Sequence, residues 1–414
     1  MKKNIFVSQA LFYIIFSVLV GSVTAEEGGR IHIGNLKVIP GLKIQEVYDD
    51  NIYLANGTND SYEAKESDWI FHIKPEVTFD YTFHERGGLK LAYFGDLAYY
   101  GEYSSNDWQK HEVLFDLDYK APGGFIVGIN NTYVNTDDPY STANDYKLGV
   151  PLTKRWYNDM AGKVGYEFSR RFRVLAFYNF FKQDYKEEVD FTQDYRVNEV
   201  GMGVEVRLLP KTWGFVRYHF GERDYYTHPP GTGVTESNDS DFDSQRVNLG
   251  INWDTRAKLS GEVNFGYLWK KYDNVYDSNG DPYEDKDTWI ASTFVSYKAT
   301  DKTGVSLNIT RALRESYSDT NEYFTDTGIG ITLQQKFMDK FTLTPGVSYS
   351  NNDYNKPDNE SREDNNYRAN IDLDYQIQDW LKAGVGYAYD RKDSNYLEYD
   401  YTDNRFMISL SGIY

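Results

Sequence analysis

Beyond residue 30, apolar and polar residues alternate along the chain with a period of two. Trp69, Phe71, Ile73, Pro75, Val77, Phe79 and Tyr81 take every second place, with His72, Lys74, Glu76, Thr78 and Asp80 between them. Leu259, Gly261, Val263, Phe265, Tyr267 and Trp269 repeat the pattern, as do Phe341, Leu343, Pro345, Val347 and Tyr349. Strand side chains point to opposite faces in turn, so each segment predicts a strand with one apolar and one polar face. No long stretch carries a helical period, and nothing reads as a linker. The expectation is one all-β domain.

The links between these segments are of two kinds. Short tight ones fall near residues 84–88, 120–124, 169–171, 209–212, 254–258, 299–302, 337–340 and 377–380. Longer polar ones alternate with them, at 48–67, 135–150, 224–241, 272–287, 351–366 and 391–403 among others. Together they predict about 18 strands, many longer than the 5–6 residues usual in soluble sheets. Tilted strands that cross a bilayer need roughly 9–11 residues in hydrocarbon alone. Short turns at one end and long loops at the other predict a transmembrane, antiparallel, up-and-down β-barrel. Phe406, Ile408, Leu410, Gly412 and Tyr414 carry the alternation to a terminal aromatic, resembling the last-strand signal that bacterial assembly machinery reads.

The first residues follow different rules. Met1-Lys2-Lys3 is basic, the stretch from Ile5 to Val20 is largely apolar, and Val23-Thr24-Ala25 places small residues where a signal peptidase cuts. Residues 1–25 read as an export signal, 26–35 as a short periplasmic segment and 36–414 as the barrel.

Composition narrows the function. The 414 residues hold 44 Lys+Arg against 63 Asp+Glu, a net charge of -19, so no bulk cationic surface exists for nucleic acid. Zero Cys excludes disulfide scaffolds, thiolate metal sites and cysteine nucleophiles. The 38 Tyr, 24 Phe and 8 Trp suit a membrane interface better than a soluble core. The six His form no spaced metal motif, and no nucleophile elbow or phosphate loop is present. The reading is therefore not an enzyme, with no cofactor and no metal site. His72 near Asp80 and His219 near Glu222 are the pairs closest to a catalytic arrangement.

Acid is concentrated in the long loops. Asp49, Asp50, Asp60, Glu63 and Glu66 belong to the first, and Asp273, Asp277, Asp281, Glu284, Asp285 and Asp287 to the sixth. The run Asp277-Ser-Asn279-Gly-Asp281 has spaced oxygens of the kind calcium takes, without a complete calcium-loop spacing.

With apolar faces turned to lipid, the opposite faces supply the candidate pore lining. It comprises Arg155, Lys163, Arg171, Arg173, Arg207, Arg246, Arg368 and Arg405, with Glu167, Glu199 and Glu205. Phe94, Tyr157 and Phe177 fall on the same faces and offer rings that stack on sugars. The signs nearly cancel along the lining, which predicts a transverse field and no general anion channel. Strands six to eight gather Arg155, Lys163, Arg171, Arg173 and Arg207 into a basic sector. Tyr99, Tyr133, Tyr267, Tyr349, Tyr387 and Tyr389 lie near strand ends and predict interface girdles.

The segment Val38-Ile-Pro-Gly-Leu-Lys-Ile-Gln-Glu-Val-Tyr-Asp-Asp-Asn-Ile-Tyr53, followed by Asp68 and by Pro75 inside the second strand, resembles the opening of a family of β-barrel porins. That family is associated with bacterial exopolysaccharide and capsule loci. The resemblance implies an outer-membrane pore of about 18 strands that passes secreted polysaccharide, and no catalytic residues carry over. It also implies a separate periplasmic export partner, since this chain has no helical-repeat domain. Lipid, lipopolysaccharide and the assembly machinery are the other expected partners. Two alternatives stand beside the export conduit. One is a diffusion porin for small hydrophilic solutes, with the loop at 135–150 folded inward. The other is a plugged structural or adhesive barrel.

Overall fold

In a computed structural model, the structure describes residues 31–57, 65–83, 86–137, 154–186, 194–228, 230–231, 233–253, 258–315, 323–355 and 362–414. The export signal at 1–25 and most of the loop at 135–150 lie outside these residues. No helix among the described residues is long and apolar enough to cross a membrane.

The chain forms one antiparallel sheet of 19 strands. They are β1 (Ile31–Ile33), β2 (Leu36–Asp49), β3 (Asp68–Thr82), β4 (Gly87–Tyr100), β5 (Trp108–Lys120), β6 (Phe125–Thr136), β7 (Arg155–Ser169), β8 (Phe172–Tyr185), β9 (Tyr195–Leu209) and β10 (Thr212–Tyr225). Then follow β11 (Phe242–Trp253), β12 (Leu259–Tyr272), β13 (Lys286–Lys298), β14 (Thr303–Glu315), β15 (Tyr323–Phe337), β16 (Phe341–Tyr354), β17 (Glu363–Gln378), β18 (Leu381–Ser394) and β19 (Tyr401–Ile413).

β2 to β19 each pair with their sequence neighbours, and β19 pairs back onto β2 from Arg405↔Asp49 to Ile413↔Gly41. These 18 strands, of 12 to 16 residues each, close a barrel without a free edge. Closure is obligatory in hydrocarbon, where every unpaired backbone N–H or C=O costs several kcal/mol. β19 reaches only as far as Gly41. The exposed start of β2 is covered by β1, which folds back through a turn at Gly34 to pair Ile31↔Val38 and Ile33↔Leu36. Tyr414 N donates to Pro40 O at 3.0 Å and completes the seam.

The alternation sets the two faces. Leu42, Ile44, Trp69, Phe71, Val204, Val216, Leu249, Val347, Val385 and Ile408 are exposed on the outside. Aromatic pairs ring the outside near the long-loop end: Tyr48–Trp69, Tyr133–Trp156, Tyr267–Trp269 and Tyr349–Tyr367. A second ring near the tight turns includes Tyr81–Phe83, Tyr166–Phe168 and Phe337–Phe341. Such girdles belong at the two membrane–water interfaces.

Five of the long-loop hairpins share one device. The last residue of the ascending strand donates its N–H to the Asp just before the descending strand. The pairs are Tyr100 N to Asp107 (2.7 Å), Tyr185 N to Asp194 (2.7 Å), Tyr225 N to Asp241 (2.7 Å), Tyr272 N to Asp285 (3.0 Å) and Ser394 N to Asp400 (2.5 Å). Part of the acid at this end is thus structural, since each carboxylate satisfies a backbone donor that the hairpin leaves open. The run from Asp277 behaves alike: Asp277 Oδ1 accepts from Asn279 N (2.9 Å) and Asp281 N (2.8 Å), closing a turn on itself.

Candidate functional site in the barrel interior

The interior residues of β7 to β12 form a wall of interlocked charges and rings. Glu205 on β9 is fully buried and central. Arg173 on β8 reaches it through Nε at 2.7 Å, and Arg217 on β10 through Nη2 at 2.9 Å. Arg217 also grips Glu262 on β12 with Nη1, at 3.1 and 3.0 Å to the two carboxylate oxygens. Two guanidinium groups thus bridge two carboxylates across five strands, through charge-assisted hydrogen bonds. Towards the tight turns, Glu167 accepts from Lys120 at 2.6 Å and Arg207 at 3.4 Å. Trp213 on β10 lies between the guanidinium groups of Arg173 (4.1 Å) and Arg207 (4.5 Å).

The next layer towards the long loops centres on Glu199. Its Oε1 meets Asn179 Nδ2 at 2.6 Å, Arg246 Nη2 at 2.6 Å and His219 Nδ1 at 3.1 Å. Phe177 stacks on His219, with ring centroids 5.5 Å apart. Gly201 makes this packing possible, because a Cβ there would lie 2.5 Å from His219 Nδ1. Above it, Tyr157, Phe181, Tyr185, Tyr195 and Tyr225 pack with Val134 into one buried cluster. The Arg223 guanidinium lies 3.7 Å over the Tyr195 ring.

Beyond β13, the middle of the next sector is built from small side chains. β14, β15 and β16 turn inward Ser306, Asn308 and Thr310, then Gly328, Gly330 and Thr332, then Gly346, Ser348 and Ser350. A cavity of about 270 Å³ lies against this sector, lined by Asn308, Gly328 and Ser348 among others, and also by Arg368 and by Arg314 and Asp326, which pair at 2.8 Å. Further round, charge returns as pairs: Arg368–Asp390 at 2.7 Å, Lys382–Asp374 at 3.3 Å and Lys74–Asp96 at 3.1 Å. Arg405 contacts both Asp390 and Asp403.

The candidates named from sequence fall on this map unevenly. Arg173, Arg207, Arg246, Glu167, Glu199, Glu205 and Phe177 are brought together in the β7–β12 wall. Lys163 pairs with Asp118 at 2.9 Å, one strand pair away. Arg368 and Arg405 meet at Asp390 on the far side. Phe94 stands in register between Glu76 and Glu112. Arg155 is buried at the long-loop end of β7. Arg171 departs from the expectation: it sits in the tight turn between β7 and β8 and is exposed there, because the turn takes it out of the strand alternation. Tyr157 departs too, since its ring is stacked on Phe181 and only 5 % exposed, which leaves no open platform.

The two His pairs dissolve. His72 bonds Asp96 at 2.8 Å and His219 faces Glu199 at 3.1 Å, while Asp80 lies nearer the tight turns and Glu222 is exposed on the other face of β10. The residues missed from sequence are those of β10: Trp213, Phe215, Arg217, His219 and Arg223. That strand is aromatic on both faces, with Val216, Tyr218 and Phe220 outside, so alternation alone gives no inner side.

Outside the membrane span, burial among Asp239, Asp224 and Asp273 raises the Asp241 carboxyl to about 7. Asp194 is raised to about 6, again chiefly by burial. In both, burial outweighs the N–H bond that each accepts.

Residues 28–412 match the family model described as Putative beta-barrel porin 2. The chain belongs to this porin family. It is a channel protein of the outer membrane and not an enzyme, and its long loops accordingly face outward. No curated protein matches it. Among solved structures it is similar to the outer membrane protein OpdK from Pseudomonas aeruginosa, at 12 % identity over 91 % of this chain and 99 % of that one, TM-score 0.45. It is also similar to a BenF-like porin from Pseudomonas fluorescens Pf-5, at 10 % identity over 91 % and 99 %, TM-score 0.45. OccAB4 from Acinetobacter baumannii gives 11 % identity over 91 % and 98 %, TM-score 0.43.

Proposed function

We propose that this porin is a diffusion pore for small hydrophilic solutes, screened by the charges of an ion-paired wall that stands beside a sector of mostly small polar side chains. The observation that carries this reading is what the interior aromatics do. A polysaccharide conduit needs open rings on which successive sugars stack. Here Tyr157, Phe181, Tyr195 and Tyr225 pack against one another, and Trp213 is covered by two guanidinium groups. The remaining interior is polar and mostly charge-paired, which suits brief contact with small polar solutes.

Liposome swelling with the refolded protein tests the reading. Rapid swelling in monosaccharides and small amino acids, falling off steeply for longer oligosaccharides, is the expected result. Equal permeation by long oligosaccharides restores the export conduit, and no permeation by any solute from a folded barrel favours the plugged form.

A further inference from the structure

The cavity on β14–β16 takes its shape from three glycines. Gly328 and Gly330 on β15 and Gly346 on β16 leave its floor without side chains. Their cross-strand neighbours form its sides: Thr310 and Ser350 beside Gly328, Asn308 and Ser348 beside Gly330, Thr332 and Asn370 beside Gly346. At the long-loop end Gly328 is buried, and the Arg314–Asp326 pair borders the cavity there. Ser348 and Asn370 are exposed, so the cavity opens to the lumen beside them.

Two groups of the lining are buried without partners. Thr310 is 8 % exposed and Asn366 9 % exposed. Thr310 Oγ1 and Asn366 Nδ2 meet no hydrogen-bond partner. Each costs free energy unless something enters to satisfy it. They share one row of the sheet, with Gly328 and Ser350 between them. Three strand spacings separate them, about 14 Å between Cα atoms. An occupant that satisfies both therefore carries polar atoms at separate ends.

The chemistry of the lining selects that occupant. Hydroxyls and carboxamides donate and accept alike. The two cations of the lining already face carboxylates, Arg314 at 2.8 Å from Asp326 and Arg368 at 2.7 Å from Asp390. An anion would compete with those carboxylates, and a cation with those guanidinium groups. A neutral solute bearing several hydroxyls replaces water bond for bond and brings no charge to be matched. The volume of about 270 Å³ lies just under the ~300 Å³ at which small-ligand sites begin, so it suits one sugar unit and no chain. Tyr349 borders the cavity but packs its ring outward against Tyr367, so it does not stack on the occupant and binding stays weak enough for release.

We propose that this cavity is a weak binding site for an uncharged, polyhydroxylated solute of monosaccharide size, held by Asn308, Thr310, Ser348, Ser350 and Asn366 over the glycine floor. Such a site presupposes the open diffusion pore proposed above and gives one class of solute a saturable step within it.

Uptake of radiolabelled glucose into proteoliposomes holding the full-length barrel tests the site, with potassium chloride conductance in planar bilayers as the check of folding and insertion. Glucose flux is expected to saturate with concentration, and mannitol to compete with it better than gluconate or glucosamine. Thr310→Val keeps the shape and removes the hydroxyl. It is expected to raise the half-saturating concentration about fivefold, as the loss of one hydrogen bond does. Gly330→Val is the second variant. A Cβ there comes no nearer than 3.3 Å to Ser348, so a larger residue fits with a small shift, and its bulk is expected to abolish saturation. Glucose flux that stays linear through an ion-conducting native barrel overturns the site and leaves the diffusion pore standing, since the cavity then holds only water. Saturation that both variants leave unchanged overturns the site as well, and stronger competition by gluconate overturns the solute class. A folded barrel that passes neither ions nor glucose overturns the site and the diffusion pore together.

Discussion

The wall over β8–β12 and the wall over β14–β16 share strand geometry and differ in what they turn inward. The first carries Arg173, Arg217, Glu205, Glu262, Trp213 and His219, locked by short bonds. The second carries mainly Ser, Thr, Asn and Gly, with one ion pair, Arg314–Asp326, at its long-loop end, and the cavity lies against it. The contrast teaches that the net charge of -19 says little about the path. Part of the acid caps hairpins at the outer rim, whereas in the charged wall Glu199, Glu205 and Glu262 are matched by cations. The field comes from where those pairs stand and from how much space the neighbouring sector leaves.

Removing the centre of the charged wall breaks the comparison most severely. Glu205→Ala leaves two buried guanidinium groups without their carboxylate, and is expected to cost about 3–5 kcal/mol. Ser348→Ala on the small wall is expected to change stability by about 0.5 kcal/mol or less. Urea unfolding of the liposome-inserted protein, followed by gel mobility, checks both; equal effects would erase the distinction. Gly201→Ala comes next. The added methyl displaces His219 from Glu199 and is expected to cost about 1–3 kcal/mol in the same assay.

The smallest effect concerns pH at the rim above the charged wall. The folded-state carboxyl of Asp241 titrates near 7, above its ordinary value of 3.8. Its protonated form is thus favoured by folding. That contribution is full at pH values below 3.8, declines as pH rises towards 7, and is gone above it. The protection factor for hydrogen exchange at the β10–β11 hairpin, corrected for the intrinsic rise of exchange with pH, is expected to fall from pH 5 to pH 8, and Asp241→Asn to flatten the trend. The hairpin of β16 and β17, which has no such Asp cap among its described residues, is expected to show less pH dependence.

Most of the architecture was legible in the sequence because lipid enforces a strict code. Segments such as Trp69–Tyr81 and Phe341–Tyr349 carry apolar residues at every second position, and the loop lengths sort the two ends. The site was legible only in part. Arg173, Arg207 and Glu205 could be placed inside because Val174, Val204 and Val206 lie beside them. Arg217 and Trp213 could not, because β10 has rings on both faces. That Tyr157 is buried depends on partners from β8, β9 and β10, which pairing brings together and spacing along the chain does not.

The most direct test of the central claim is the reversal potential of single channels in a potassium chloride gradient, for the native protein and for Glu205→Gln. If the paired charges of the β8–β12 wall border the aqueous path, the native pore is open and weakly selective. The variant, with Arg173 and Arg217 released from Glu205, then shifts clearly towards chloride. A native pore that does not conduct, or a reversal potential that Glu205→Gln leaves unmoved, contradicts the account.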